Sequence, residues 1–257
     1  MHFVLFALLC VQILTAAKCQ LIPEDVTKCR FGDVECIKDS MNALIKQYPR
    51  GIPGMGLKPI DVVDFKGWEV FKTAPNGRIW LTFKYFNTTN YGFENMTITE
   101  VKGFSKDPTA TRMEIHGYIP SLIHKGIYAA SGRIWFINVN STGKAMSDLQ
   151  KVQFTLKLKV ILEYRDNKRY LRIDELVPIM EISRWIFSLH EFFAENTDLT
   201  IAVNRVINDN WVVFWNELEP TILGLYTSVF TNLISDVFDK VSYDDMFITD
   251  QAYAAAD

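Results

Sequence analysis

The chain has 257 residues, of which 49% are hydrophobic and 13% aromatic, and a formal net charge of −3. Lysine and arginine are interspersed with aspartate and glutamate, so no basic face for nucleic acid, anionic lipid or lipopolysaccharide is apparent. The 4 cysteines form neither a CxxC redox pair nor a zinc-ligand spacing.

Phe3 to Ala17 is an almost unbroken apolar run. It is too short to span a bilayer, which needs about 20 residues, but it suits the core of a secretory signal peptide. Small residues offer cleavage after Ala17 or after Cys19. Cleavage after Cys19 leaves an even pair, Cys29 and Cys36, which in an oxidising compartment can close a short loop. Cleavage after Ala17 leaves a third cysteine unpaired, so residues 1–19 are read as the signal and 20–257 as a single domain. No other segment approaches 18 consecutive apolar residues, so no membrane span is expected in the mature chain.

Ile37, Met41, Leu44, Ile45 and Tyr48 have helical spacing, ended by Pro49, Gly51 and Pro53. From about residue 60 to residue 175 the period becomes two. Ile79, Leu81, Phe83 and Tyr85 alternate with polar or outward positions. The clearest series is Val152, Phe154, Leu156, Leu158, Val160, Leu162 and Tyr164, the mark of a long strand with one face inward. Extended, it would reach about 43 Å at about 3.3 Å per residue. Less regular strands are read at Met113 to Ile119 and Arg133 to Val139, with hairpin turns at Asn76-Gly77 and Asp166-Asn167. Acceptor triplets for N-glycosylation stand at Asn87, Asn95 and Asn140.

The last third is helical. Leu199, Val203, Val206 and Ile207 lead into a series from Trp211 through Phe214, Trp215, Leu218, Ile222, Leu225, Val229 and Phe230 to Phe238. This stripe is wider than a surface helix needs, so something must wrap it. Pro220 should bend or break the helix. The available wrapper is the long, one-sided sheet. The architecture expected is therefore α+β: a strongly curved antiparallel sheet around a long carboxy-terminal helix.

Catalytic and metal motifs do not rise above background. His190-Glu191 lacks the second histidine of a zinc-protease helix, because Ala194 stands there. Ser131 has Ala129 where a nucleophile elbow needs glycine, and Gly143-Lys144 is followed by Ala145 where a P-loop needs Ser or Thr. The carboxylate pairs Asp244/Asp245 and Glu217/Glu219 have the character of helix-surface charge. No enzyme activity, metal or cofactor is expected.

Leu21-Ile22-Pro23, the Cys29…Cys36 pair, Gly51-Ile52-Pro53, Gly56, Asp61, Phe86-Asn87 and Gly92 occur in a distinctive order. The densest part follows: Asn204, Ile207-Asn208, Asn210-Trp211, Glu217-Leu218 with Pro220, then Phe238, Tyr243 and Met246-Phe247. With these motifs the mature chain resembles the takeout and juvenile-hormone-binding family of insect secreted proteins. The resemblance implies a sheet wound around a helix, an internal apolar tunnel, and Cys29–Cys36 as an amino-terminal disulfide. No cysteine follows residue 36, which favours the takeout branch over strict hormone binders. Val63 replaces a usual proline and Ser141 a usual glycine, the second bearing on one end of the tunnel.

The function expected is a monomeric extracellular carrier of a small apolar ligand, such as a terpenoid, fatty acid or quinone. Burying about 400 Å² of apolar ligand surface yields about 10 kcal/mol, enough for micromolar to nanomolar binding after association costs. Candidate lumen residues are Leu81, Phe83, Phe154, Leu156, Leu158, Val160, Trp215, Leu225 and Val229, with Met41 and Leu44 over one end. The alternatives are a secreted signalling protein of the same fold with a filled interior, partnered by a receptor, and an esterase using His116, His124 or His190.

Overall fold

The computed structural model describes residues 21–65, 68–72, 79–134 and 137–248. Residues 1–19, read as a signal, and Asn76-Gly77, read as a hairpin turn, lie outside these residues. Helix α1 (Val34–Gln47) is followed by β1 (Val63–Phe65), β2 (Trp68–Lys72), β3 (Ile79–Tyr91), β4 (Thr97–Lys102), β5 (Met113–Ile134), β6 (Ile137–Arg165), β7 (Lys168–Glu181) and β8 (Arg184–Leu189). Helices α2 (Thr197–Asp209) and α3 (Trp211–Lys240) complete the chain.

All strand pairings are antiparallel, and the order is β1-β3-β5-β6-β7, with β2 on β3, β4 on β5 and β8 on β6. The spine is the β5–β6 hairpin, paired from Met113↔Leu158 to Ile134↔Ile137. Along β6 the residues Val152, Phe154, Leu156, Leu158 and Val160 are buried, while Gln153 and Lys159 face water. The alternation fails at the end, where Tyr164 is 72% exposed. There the strand runs into a two-residue turn in which Asp166 and Asn167 both have positive φ, 49° and 60°. That is the primed turn whose twist suits a tight hairpin, and Asp and Asn tolerate it.

Midway along the spine, the pairing skips Pro120 and Lys151. Proline has no N–H for the ladder, and Lys151 has φ 52°, so one pairing is lost here while the register continues unchanged on either side. Shorter strands occupy each half: β3 and β8 on one side of this point, β4 and β7 on the other. Helix α3 packs on β7, β2 and β8, strands from both ends of the sheet, so the sheet curls around it. Its Trp215, Ile222, Tyr226, Val229, Phe230 and Phe238 are buried.

Two expectations are corrected. The segment Arg133 to Val139 is not one strand: Arg133 pairs with Asn138 and Ile134 with Ile137, so it belongs to both arms of the spine hairpin. Its residues are too apolar to signal a turn. Pro220 does not break α3, which is continuous from Trp211 to Lys240. Pro220 and Asn216, whose carbonyl loses its donor, both lie on the exposed side, where water can satisfy that group.

The amino terminus closes one end. Cys29 and Cys36 form a disulfide with Cα atoms 5.7 Å apart, and Asp33 caps α1 by accepting from the Cys36 N–H at 3.2 Å. Cys29 bridges to Phe247, and Phe31 stacks on the Phe247 ring at 4.4 Å. Arg169 donates to Asp244 through Nε at 2.9 Å and Nη2 at 2.6 Å, and to the Lys106 carbonyl through Nη1 at 2.6 Å. The guanidinium holds the Asp244 carboxyl below its usual range. Lys168 pairs likewise with Asp245. Both carboxylates serve as structural ties.

The glycosylation candidates Asn87, Asn95 and Asn140 are all exposed. Asn87 has φ 46° at the register shift in β3, and Asn95 ends a short helical turn, Phe93–Asn95. Asn140 lies in β6, not in a turn.

Candidate functional site

Among the described residues, cavities of about 560 Å³ and about 220 Å³ lie between the sheet and the helices. The larger is walled by Phe83 and Tyr85 of β3, His124 of β5 and Leu149 of β6. Strand β8 adds Trp185, Phe187 and Leu189. Helix α2 covers it with Leu199, Val203, Val206 and Ile207, and α3 with Phe214, Leu218, Leu225 and Tyr226. The smaller is walled by Met41, Leu44 and Ile45 of α1, by Phe154, Leu156 and Leu158 of β6, and by Phe230, Leu233 and Val237 of α3.

Rings stand between the two spaces. Tyr226 and Phe230, one helical turn apart, have centroids 6.3 Å apart, and each lines a different cavity. Phe93 packs edge-on to both, at 6.4 and 5.8 Å, and Phe154 stacks on Phe230 at 5.9 Å. Gly117 makes this possible: a Cβ there would lie 2.3 Å from the Phe154 ring. These rings thus stand along the interior between the two cavities.

The sequence candidates divide accordingly. Phe83 and Leu225 line the larger chamber, and Met41, Leu44, Phe154, Leu156 and Leu158 the smaller. Val160, Trp215 and Val229 are buried but line neither; Trp215 packs edge-on against Trp185 at 6.2 Å. Leu81 is on β3, and its side chain lies outside the described residues. Sequence reasoning missed the β8 residues and Phe192 as wall. Strand β8 is short and its burial does not alternate, so its pattern carried no signal.

Each chamber is covered by a helix fastened to a strand edge through asparagine amides. On α2, Asn208 accepts from the Phe187 N–H at 2.9 Å and donates to the Phe187 carbonyl at 2.6 Å. Asn204 does the same with Leu189, both bonds at 2.8 Å. The spacing explains the fit: four helical residues rise about 6 Å, and two strand residues about 6.6 Å. On α1, Asn42 accepts from the Ile98 N–H at 2.8 Å and donates to its carbonyl at 2.9 Å. Side chains thereby complete edge ladders that would otherwise be open.

The walls are hydrocarbon except at one place in the larger chamber, where Tyr85, His124, Ser147 and Tyr226 meet. Ser147 accepts from Trp185 Nε1 at 2.7 Å. Burial lowers the His124 pKa to about 4, keeping the ring neutral, and raises those of Tyr85 and Tyr226 above the usual phenol range. Of the other histidines, His116 contacts Glu114 at 3.2 Å and Thr155 at 3.0 Å on the outer sheet face. Among the described residues, no group of three or more His, Cys, Asp or Glu is arranged to hold a metal. Helix α3 is long and apolar enough to cross a membrane by length and composition, but here it lies against the sheet.

The sequence pattern of the family described as haemolymph juvenile hormone binding protein (JHBP) matches residues 5–248. Among similar proteins, the circadian clock-controlled protein daywake of Drosophila yakuba is 19% identical over 231 residues, covering 89% of each chain. Daywake of Drosophila melanogaster is 19% identical over 228 residues, covering 88% of each. The crystal structure of Epiphyas postvittana Takeout 1 superposes with a TM-score of 0.72 at 20% identity, covering 86% of this chain and 99% of that one. At this identity the likeness shows a shared fold.

Proposed function

The chain belongs to the haemolymph juvenile hormone binding protein family, and from that premise we propose that it is a secreted, monomeric carrier of a small apolar ligand. The supporting observation is the larger chamber, about 560 Å³ walled almost wholly by hydrocarbon and rings. A pocket of that size with few polar groups is of the kind that buries most of a small ligand. A purely signalling protein with a filled interior would have no such space. The reading includes a signal peptide at residues 1–19, the single domain 20–257, glycan at one or more of Asn87, Asn95 and Asn140, and no chemistry on the ligand. The family's description places its members in haemolymph, and the disulfide suits an oxidising compartment.

Uptake of N-phenyl-1-naphthylamine tests the reading. Its fluorescence should rise on binding and fall when long-chain apolar competitors are added. Leu225→Trp, which pushes an indole into the larger chamber, should reduce uptake at least tenfold while leaving the fold intact by circular dichroism. Equal uptake by wild type and Leu225→Trp would remove this chamber as the binding site.

A further inference from the structure

The polar groups lining the larger chamber are few, and Asn90, which does not line it, contacts two of them, His124 and Tyr226. Asn90 and His124 face each other across β3 and β5. Asn90 is 0% exposed, and its Oδ1 lies 3.3 Å from His124 Nδ1 and 3.4 Å from the Tyr226 hydroxyl. The carbonyl oxygen has two lone pairs and so can accept from both. Its Nδ2, by contrast, has no hydrogen-bond partner among the described residues. A buried donor left in that state is destabilising. A site that only had to enclose hydrocarbon would do better with leucine and phenylalanine at these positions.

The Tyr226 bond is the exchangeable one. At 3.4 Å it is long for a hydroxyl donor, whose usual range ends near 3.0 Å. If Tyr226 turned its O–H to a guest, His124 Nδ1–H would still hold Asn90 Oδ1, so nothing else need move. The wall contains no lysine or arginine among the described residues, and the buried imidazole is neutral. An anionic head group would therefore enter without a countercharge, at a desolvation cost that a neutral oxygen does not incur.

We propose that Tyr226, positioned by Asn90 and His124, is the recognition point for one neutral acceptor oxygen of the ligand, a ketone, ester or ether on a long apolar body. The assignment rests on the carrier reading and narrows it: free carboxylates are disfavoured, and pure hydrocarbons bind without this contact. Asn90 is a positioning residue: its Oδ1 holds the Tyr226 hydroxyl at the chamber wall until a guest oxygen takes the O–H in its place.

Displacement of N-phenyl-1-naphthylamine from the full secreted chain at pH 7 tests this with dodecane, 2-dodecanone and dodecanoate. One neutral hydrogen bond should make 2-dodecanone about five- to tenfold tighter than dodecane, and tighter than dodecanoate. Tyr226→Phe removes only an oxygen; it should erase the ketone's advantage while leaving dodecane unchanged. The infrared carbonyl stretch of bound 2-dodecanone should sit at lower wavenumber in wild type than in Tyr226→Phe. Equal affinity for ketone and alkane in wild type, a parallel loss for both in Tyr226→Phe, or an unshifted carbonyl stretch overturns the recognition point and leaves the carrier reading standing. If none of the three competitors binds, the carrier reading falls and takes the recognition point with it.

Discussion

Removing the asparagines of α2 gives a prediction that separates a fastened cover from a merely adjacent helix. Asn204 and Asn208 each make a donor and an acceptor bond to one β8 residue, at 2.6–2.9 Å. At about 1 kcal/mol net per bond, Asn204→Ala removes about 2 kcal/mol, and Asn204→Ala with Asn208→Ala about 4 kcal/mol before coupling between them. If α2 opens as a unit, the single change raises the open population about thirtyfold. The strand supplies an internal control. Phe187 and Leu189 direct their backbone toward α2, whereas Ile186 and Ser188 direct theirs toward β6, in step with the His190 N–H donating to Lys144 at 2.8 Å. Amide hydrogen exchange read residue by residue should therefore accelerate about thirtyfold at Phe187 and Leu189 in Asn204→Ala, and little at Ile186 and Ser188. Release of a bound fluorophore should accelerate in parallel. Equal acceleration at all four amides would mean that the fold has loosened generally, and unchanged exchange at Leu189 would mean that the amide contacts fasten nothing.

Further predictions concern the interior and the glycines. The folded His124 pKa of about 4 lies below the usual 6.5, so unfolding takes up a proton between those values. Stability from this source is complete above pH 6.5 and is lost as pH falls toward 4, by at most about 3 kcal/mol. Facing His124 are Asn90 and the neutral phenols Tyr85 and Tyr226. The melting-temperature difference between wild type and His124→Asn should therefore shrink from pH 7 to pH 4; a constant difference refutes the assignment. Gly143→Ala places a methyl 2.2 Å from the His190 carbonyl and 2.9 Å from the Tyr128 ring, and should cost at least about 2 kcal/mol by denaturant titration. Gly224→Ala, with open space around its Cβ in α3, should instead gain about 0.5–1 kcal/mol; the same sign for both would contradict the packing described.

Periodicity made the frame legible. The β6 alternation from Val152 to Val160 and the wide stripe of α3 had to meet, because neither can bury its apolar face alone. Periodicity could not separate wall from core. Leu158 and Val160 share one face of β6, yet Leu158 lines the smaller chamber and Val160 does not. What decides this is the residue across the gap, set by helix placement and not by the strand's own sequence. The ring cluster between the two cavities was hidden for the same reason: Phe93 comes from a short turn, Phe154 from a strand, and Tyr226 and Phe230 from a helix. The asparagine fastenings left no pattern because their partners are backbone groups, which every residue possesses. Asn204 and Asn208 stood out only through the family resemblance, and their work became visible once β8 was seen beside α2.

The central claim is that the larger chamber holds a guest. Native mass spectrometry of the full chain expressed in insect cells, before and after mild organic extraction, tests it most directly. The account predicts a bound apolar species of small-molecule mass in the intact chain, lost on extraction, restored on incubation with 2-dodecanone, and reduced in Leu225→Trp. A chain that flies at its own covalent mass before extraction, and stays there with every apolar molecule offered, would contradict it.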